Sequence, residues 1–486
     1  MSDMIDSLTL ENDRGIRHSV PANLYCLTTF ALLEQNRWFE REVDFVHRLA
    51  KPGVIALDIG ANVGIYTLPL ALGAGVSGRV YAYEPGTENC GHLEHSLELN
   101  GLVNTTVSSA ALSDFAGKGV LKLGNSGELH QLVAAPEDGD YVEFVEVTTL
   151  DSELHRRRWP CVDFVKLDAE GQESAILDGG QEFFRTYSPL VMFEAVHGRK
   201  FASDLNAKFR ENGFDIYRLL GDGSILAQVD DDDPFDAFDL NFFAARPETA
   251  AGLSAEGLLA RKGGSTVLSG AERMDAIAGY CQLPMARSLE ISTDDVEQCA
   301  YAAAFVKYAA FRFLPSLNPD RRHALLLAAY DELASYCSQS NSSTALSTLA
   351  RIAWDCGFHI VSLDVLEHLI HCESHLIDSP FFPPAAKFES LNASASEDWF
   401  DYALRETREF GRSRSSIFGN DLPALERLAR SEHASEDLFK RLILIHLAHG
   451  EPISKLDSYF KSLDAFDLPR LQVWAENVRM LAARRP

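Results

Sequence analysis

Residues 54–64, Val-Ile-Ala-Leu-Asp-Ile-Gly-Ala-Asn-Val-Gly, decide the fold of the first half of this chain. An apolar run of strand length, Val54–Leu57, follows Gly53 and precedes a turn that contains two glycines. From Val63 to Leu72 the apolar residues recur at helical spacing. The order strand, tight turn, helix predicts the first unit of a nucleotide-binding α/β sheet, in which a ligand lies across the carboxyl end of the strand.

The residues of the turn indicate which nucleotide would bind. In the dinucleotide fingerprint G-x-G-x-x-G, the second glycine lets the backbone approach a pyrophosphate. In Gly60-Ala61-Asn62-Val63-Gly64 that position carries Asn62, which would crowd a phosphate but could hydrogen-bond a ligand without phosphates. S-adenosylmethionine (SAM), an adenosine that carries a sulfonium and an amino acid, is such a ligand. We therefore predict SAM rather than a dinucleotide.

A second strand supports this prediction. Arg79–Tyr83 reads as a strand and is followed by Glu84 and Pro85. Glu84 lies 24 residues after Gly60, close to the spacing of about 20 at which an acid reaches the hydroxyls of a ribose. The two strands and their turns together predict one adenosine site.

Length, charge and cysteines limit the class of protein. A chain of 486 residues with 46% hydrophobic and 24% charged residues has a globular composition and is long enough for two or three domains. Its net charge of −27 argues against nucleic-acid and anionic-membrane partners. We find neither a signal peptide nor a membrane-spanning run, and the eight cysteines form no C-x-x-C pair. The expected location is the cytoplasm, with reduced thiols.

The periodicities divide the chain into three parts. Residues 1–50 read as a lead-in and a helix, Thr28–Leu49, that packs on the next part. Strands and helices alternate over residues 51–248, which predicts a Rossmann-like, mostly parallel α/β sheet of seven strands with an antiparallel edge. Residues 249–486 show only helical patterns and predict an all-helical bundle or short solenoid, with a second break near 374–394 as an alternative.

Several further motifs carry a resemblance to a known family. They are Asp58-Ile-Gly-Ala-Asn-Val-Gly64, Tyr83-Glu-Pro85, Ala110-Ala-Leu-Ser-Asp114, Thr149-Leu-Asp151, Val165-Lys-Leu-Asp-Ala-Glu-Gly171 with Glu173, Leu177-Asp-Gly-Gly180 and Glu194-Ala-Val-His197. In this order, over about residues 15–246, the chain resembles the FkbM-type methyltransferases, a class I SAM-dependent group. Members of that family methylate hydroxyls of sugars, polyketides and related products. The helical part lies outside the resemblance.

The resemblance implies a cofactor site on the sheet. Gly60, Asn62 and Glu84 would line it, with Ser109 and Ala110 near the adenine. Asp168, at the end of the fourth strand, would face the methionine part or the substrate. The full set of predicted cofactor residues is Asp58, Gly60, Ala61, Asn62, Gly64, Glu84, Pro85, Ser109, Ala110 and Asp168.

Methyl transfer to an alcohol needs an aligned acceptor and a group that takes the hydroxyl proton. The candidates are Asp168, Glu194, His197 and His130, with His197 as the leading base. The structural alternatives are that a lone histidine is simply exposed or packed, and that Asp168 caps a helix start. A divalent cation could also acidify the hydroxyl, but no metal-ligand set in the sequence supports one, and we predict none.

The predicted function is therefore SAM-dependent O-methyl transfer to a hydroxyl of a small molecule or glycan. A sugar or saccharide precursor is favoured because members of the family that the chain resembles methylate such substrates. One alternative is a SAM-binding scaffold whose helical part carries the role. A second is an NAD-dependent oxidoreductase, which Asn62 argues against. The helical part could bind the acceptor, a partner protein or a second copy of the chain.

Overall fold

The computed structural model describes residues 6–124, 127–194, 199–221, 223–230, 236, 238–288, 294, 301–372, 374–377, 380–390 and 396–483. Strands and helices alternate through the first 260 residues, and helices alone follow. The described strands are β1 Ser7–Glu11, β2 Arg17–Pro21, β3 Ile55–Ile59, β4 Arg79–Tyr83, β5 Thr105–Ser108, β6 Ala111–Leu112, β7 Gly117–Lys122, β8 Gln131–Val133, β9 Val142–Thr148, β10 Phe164–Leu167, β11 Leu190–Glu194, β12 Asp215–Leu219, β13 Leu226–Gln228, β14 Asn241–Ala245 and β15 Leu259–Ala260.

The described α-helices fall into two sets. Those among the strands are α1 Leu27–Gln35, α2 Glu42–Leu49, α3 Thr67–Ala74, α4 Thr87–Leu99, α5 Leu150–Arg157, α6 Glu173–Asp178, α7 Gln181–Thr186, α8 Arg199–Glu211 and α9 Pro247–Ala255. Those of the helical part are α10 Gly270–Tyr280, α11 Pro284–Ser288, α12 Ala302–Phe313, α13 Pro319–Cys337, α14 Ser343–Asp355, α15 His359–Ile370, α16 Glu397–Gly411, α17 Leu422–Leu428, α18 Glu436–Ala448, α19 Asp457–Asp464 and α20 Pro469–Ala483.

The large sheet confirms the predicted fold class. Its strand order is β15-β13-β12-β14-β11-β10-β3-β4-β5. From β5 to β11 every neighbouring pair is parallel, whereas β14 pairs antiparallel with both β11 and β12. The chain leaves β3 toward β4 on one side and later returns to β10 on the other, so the crevice between β3 and β10 is the switch point where such sheets bind ligands.

The sheet has nine strands where the sequence predicted seven. The additional strands, β13 and β15, are short and extend the β12 edge. Because β15 lies at Leu259–Ala260, the sheet continues into a region that was expected to hold no strand. A separate four-stranded sheet, in the order β6-β9-β7-β8, lies beyond β5.

The N-terminal helix is broken, which corrects the single helix predicted over Thr28–Leu49. The first helix, α1, ends at Gln35, and Asn36 takes a left-handed φ of 56°. The second, α2, begins at Glu42. Asparagine tolerates this conformation because its side chain hydrogen-bonds locally. The break places residues 36–41 at the carboxyl end of the sheet, where they become part of the candidate site.

Two hydrophobic cores cross the predicted boundary after residue 248. In one, α18–α20 residues such as Ile443 and Val478 pack with Phe30 and Leu33 of α1 and with sheet residues. In the other, Ile225 and its neighbours pack with α10–α14. The helical part therefore shares its cores with the sheet, and α18 lies directly against α1.

The segment near residue 380 is packed rather than a linker, which argues against a break at 374–394. Phe381 and Phe382 are fully buried. The hydroxyl of Tyr280 donates to the carbonyl of Phe381 at 3.0 Å, and that of Ser347 to the carbonyl of Phe382 at 3.0 Å. None of the helices in the described part of the chain is both long enough and apolar enough to cross a lipid bilayer.

Candidate active site

The turn after β3 is pressed against the end of β10. Gly60 has a φ of 78°, and a Cβ placed on it would lie 1.6 Å from the carbonyl oxygen of Asp168. The N–H of Asp168 in turn donates to the carbonyl of Ile59 at 3.0 Å. Only glycine fits here, since it alone combines this conformation with so close an approach. The approach holds Asp168 at the switch point.

The backbone N–H groups of residues 60–64 all donate within the protein. Those of Gly60 and Ala61 bind the carbonyl of Tyr83 at 2.9 and 3.0 Å, and that of Gly64 binds the carbonyl of Ala61 at 2.9 Å. The N–H of Asn62 donates to Glu84 at 2.8 Å, and Asn62 Oδ1 accepts from Val63 at 2.6 Å. A pyrophosphate cradle needs free N–H groups, so this turn is not built for one.

Glu84 joins the two turns. Its Oε2 accepts from the N–H of Asn62, and its Oε1 accepts from the N–H of Gly86 at 2.9 Å and from Asn89 Nδ2 at 3.3 Å. The side chain is buried, and burial raises the pKa of the carboxyl to about 7. Because Oε2 accepts a single hydrogen bond from the described residues, it keeps a lone pair for a ribose hydroxyl. This geometry fits the adenosine of SAM.

A cavity of about 570 Å³ opens at this point. Seven of the predicted cofactor residues lie on its wall, together with the predicted catalytic residues Glu194 and His130. Its lining includes Leu27, Trp38, Phe39, Glu40, Gly60, Ala61, Asn62, Tyr66, Glu84, Pro85, Ala110, Leu129, His130, Lys166, Asp168, Glu170, Glu194, Phe238, Arg412, Ser413, Arg414 and Phe418.

Asp58 does not lie on this wall, which corrects its assignment as a cofactor ligand. Its side chain has no exposed surface, and Oδ2 accepts from the hydroxyl of Thr67 at 2.5 Å. Burial raises the pKa of the carboxyl, and the charge of Lys166 opposes the increase. Asp58 therefore supports the turn from beneath.

Gly64 and Ser109 are also corrected. A Cβ on Gly64 would lie 2.7 Å from Leu93 Cδ1, so this glycine permits close packing between α3 and α4. Ser109 is exposed and lies outside the cavity lining, whereas its neighbour Ala110 is part of it. Of the two residues that the resemblance placed near the adenine, Ala110 therefore lies at the cavity and Ser109 does not.

Three charged groups meet at the ends of β10 and β11. Lys166 Nζ lies 2.6 Å from Asp168 Oδ2 and 4.8 Å from the centre of the Tyr66 ring. Burial lowers the pKa of Lys166, but the charges of Asp168 and Asp58 more than offset this and raise it. Burial and the nearby Asp168 raise the pKa of Glu194 well above its ordinary value.

Asp168, Glu170 and Glu194 form a compact acidic group. Each offers a carboxylate oxygen within 4.8 Å of the others. Glu173 shapes the turn between them, since its Oε1 accepts from the N–H of Ala169 at 2.9 Å and of Gly171 at 3.2 Å. Of these three carboxylates, Asp168 is the one that pairs with the ammonium of Lys166 in the described residues.

Of the two candidate histidines, His130 lies in the described part of the chain and His197 does not. His130 Nδ1 and Glu84 Oε1 lie 2.8 and 2.9 Å from the position that a Cβ on Gly86 would occupy. His130 therefore lies beside the predicted ribose position, which disfavours it as the base near Asp168. His197 lies outside the described residues, so its role as a base stays a prediction.

Two parts of the lining were missed by the sequence interpretation. One is the break between α1 and α2, which contributes Trp38, Phe39 and Glu40. The hydroxyl of Tyr66 donates to Glu40. The other is the segment Arg412–Phe418 of the helical part. The left-handed Asn36 gives a weak signal for the first, but no local pattern indicates the second.

Comparisons with known proteins agree with this geometry. Residues 58–216 match the model of the methyltransferase FkbM domain. This range contains the last two residues of β3 and all of β4, β10 and β11, with the turns that form the cofactor side of the cavity. A comparison with curated proteins finds no match.

Among solved structures, the chain is similar to methyltransferase FkbM from Methylobacillus flagellatus KT, with 18% identity and a TM-score of 0.28 over 40% of this chain and 43% of that one. It is also similar to a SAM-dependent methyltransferase from Aquifex aeolicus, with 15% identity and a TM-score of 0.26. The match covers 44% of this chain and 92% of that one. A third similar structure is a SAM-dependent O-methyltransferase from Thermotoga maritima, with 15% identity and a TM-score of 0.27. The match covers 49% of this chain and 77% of that one. The chain thus spans less than half the length of the first. The segment 58–216, which holds the glycine turn, the buried Glu84 and Asp168, thus matches the methyltransferase FkbM domain.

Proposed function

We propose that this protein is a SAM-dependent O-methyltransferase that acts on a hydroxyl of a small molecule or glycan. The observation that carries the proposal is the shared cavity, whose wall holds the predicted adenosine residues and the carboxylate of Asp168. An acceptor hydroxyl in that cavity would lie between the cofactor and a group able to take its proton.

Asp168 is the residue that we assign as the proton acceptor. Lys166 Nζ lies 2.6 Å from Asp168 Oδ2 and holds this carboxylate at the cavity wall, and a carboxylate oxygen of Glu194 lies within 4.8 Å of it. The bound SAM supplies the methyl group. Methyl transfer from bound SAM to the hydroxyl would give a methyl ether and S-adenosylhomocysteine (SAH), and the hydroxyl proton would pass to Asp168. A general base of this kind contributes about 10²–10⁴ in rate.

A sugar is the acceptor class that we favour. Carboxylates such as Glu40 and Glu170 and aromatic rings such as Trp38 and Phe39 share the lining. Carboxylates accept hydrogen bonds from hydroxyls, and aromatic faces cover the apolar faces of a sugar ring. The carboxylates and aromatic rings of the cavity lining are therefore what supports a sugar acceptor.

The experiment has a binding part and a turnover part. Calorimetry should show that the purified protein binds SAH and does not bind NADH. Tight NADH binding with indifference to SAH would instead favour the oxidoreductase alternative. Labelled SAM is then incubated with hydroxylated glycans and cell extracts, and methylated products are counted.

Asp168→Asn tests the assigned base. It should lose at least about a hundredfold in turnover while it binds SAH about as tightly as the wild type. The matched control is Asp178→Asn, which removes a carboxylate that pairs with Lys208 at 2.5 Å outside the cavity. Full turnover by Asp168→Asn would refute its role, and SAH binding without product from any extract would favour the scaffold alternative.

A further inference from the structure

The helical part contributes its own wall to the cavity. The segment 412–418, here called the 412–418 loop, joins α16 to α17. Four of its residues, Arg412, Ser413, Arg414 and Phe418, line the cavity. The loop lies outside the family domain at 58–216. Its chemistry is therefore a property of this chain beyond that domain.

Hydrogen bonds to α1 hold the loop in place. Gln35 Nε2 donates to the carbonyl of Arg414 at 2.6 Å. Glu34 accepts from the hydroxyl of Ser415 at 2.6 Å and from the N–H of Ser416 at 3.1 Å. These bonds fix the loop against the end of α1.

Arg414 lines the cavity and has one unsatisfied donor. Its Nη2 is shielded from solvent and has no hydrogen-bond partner among the residues that the structure describes. The guanidinium carbon lies 5.8 Å from the centre of the Phe238 ring, another lining residue. A buried donor of this kind needs an acceptor. A ligand in the cavity could supply one if the guanidinium turns toward it.

The nearby carboxylates do not complete the coordination of Arg414. Glu40 already accepts from the hydroxyl of Tyr66. Burial and the charge of Glu40 raise the pKa of Glu42 to about 7, so Glu42 is only partly ionised at neutral pH. Asp239, whose pKa burial raises to about 6, is paired with Arg218 at 4.0 Å.

The loop shares the cavity with the carboxylates at the ends of β10 and β11. Arg414, Asp168 and Glu194 all line it. Arg412 also lines it and is loosely paired, with Nη1 3.4 Å from Glu409 and 3.6 Å from Asp421. The loop therefore contributes two arginines to the cavity wall.

We propose that Arg414, assisted by Arg412, binds an anionic group of the methyl acceptor, a carboxylate or a phosphate, beside the hydroxyl that is methylated. This inference rests on the proposed function and narrows its substrate class to acidic acceptors. The planar guanidinium fork matches both oxyanions in a bidentate arrangement. Arg414 would then act as a specificity-determining residue supplied by the helical part.

The test measures the binding of defined probes to the SAH-loaded full chain by calorimetry. The probes are inorganic phosphate, glucuronate, glucose 6-phosphate and neutral methyl glucoside, at constant ionic strength. At least one anionic probe should bind at least about tenfold more tightly than methyl glucoside. A preference for glucuronate or for the phosphates distinguishes the two sources of the anion.

Two variants and one control complete the test. Arg414→Gln should lose about tenfold in affinity for the anionic probe, and Arg414→Lys should lose less because it keeps the charge. Arg430→Gln, an exposed site outside the cavity lining, should bind like the wild type. Thermal unfolding of each variant verifies that it folds.

The outcomes separate this inference from the proposed function. Equal binding of neutral and anionic probes, or no binding of any anion, would overturn the assignment of Arg414. Retained anion affinity in folded Arg414→Gln would overturn it as well. Loss of SAH binding by the wild type would instead count against the proposed function.

Discussion

Substitution of Gly60 by alanine tests the contact that builds the site. The new Cβ would lie 1.6 Å from the carbonyl oxygen of Asp168 and 2.8 Å from its carbonyl carbon. Non-bonded atoms rest at roughly 3.5 Å, so the turn and the end of β10 would have to separate by about 2 Å. The φ of 78° adds a left-handed strain of about 1–2 kcal/mol for alanine.

The strain and the overpacking together should lower the free energy of unfolding by about 2–5 kcal/mol. The displacement also moves Asn62 away from Glu84, which it contacts at 2.8 Å. SAH affinity should therefore fall at least about tenfold. Urea denaturation measures the first effect, and calorimetry with SAH measures the second.

Gly75→Ala is the matched control. Gly75 also has a positive φ, 60°, but nothing lies within 4 Å of a Cβ placed there. With a ψ of −167°, Gly75 lies in a region of backbone conformation that is essentially confined to glycine, so alanine there should cost about 1–3 kcal/mol of strain and should leave SAH affinity unchanged. If Gly60→Ala binds SAH as tightly as Gly75→Ala, the close approach to Asp168 does not shape the cofactor site.

Two further predictions concern Glu84 and the link between the two parts of the chain. Because burial raises the pKa of Glu84 to about 7, SAH affinity should fall as the pH drops below 7, and Glu84→Gln should abolish this dependence in calorimetric titrations. A raised pKa means that the folded protein holds the proton of Glu84 more tightly than the unfolded chain does, so this contribution to stability is full below the ordinary pKa and is lost as the pH rises through 7. The urea midpoint of the ligand-free wild type should therefore be lower at pH 8 than at pH 5. The same change of pH should lower the midpoint of Glu84→Gln less. Arg441 lies 2.7 Å from Glu34 with both side chains buried. Arg441→Met should therefore lower the free energy of unfolding, measured by urea denaturation, by about 3–5 kcal/mol. The control Glu256→Gln breaks the exposed pair with Lys51 and should lower it by less than about 1 kcal/mol. Equal losses would contradict the role of burial.

The cofactor side of the site could be predicted from sequence because its determinants are local. A strand, a glycine turn and a helix follow one another within residues 54–74, and Glu84 comes at the end of the next strand. The structure brings Gly60, Asn62 and Glu84 to one cavity, as the spacing indicated, and Asp168 to the same cavity, as the family resemblance implied. The predicted role of Asp58 was wrong because strand periodicity does not reveal that its side chain is sealed beneath Thr67.

The acceptor side depends on contacts that no local pattern contains. Arg414 reaches Gln35 across 379 positions of the chain, and Arg441 reaches Glu34 across a similar distance. Amphipathic spacing shows that a helix has a buried face but does not say which surface covers it. The sequence by itself determined a SAM-type turn on a parallel sheet. Only tertiary packing decided that a loop of the helical part completes the cavity, because that choice is made by the burial of α1 against α18.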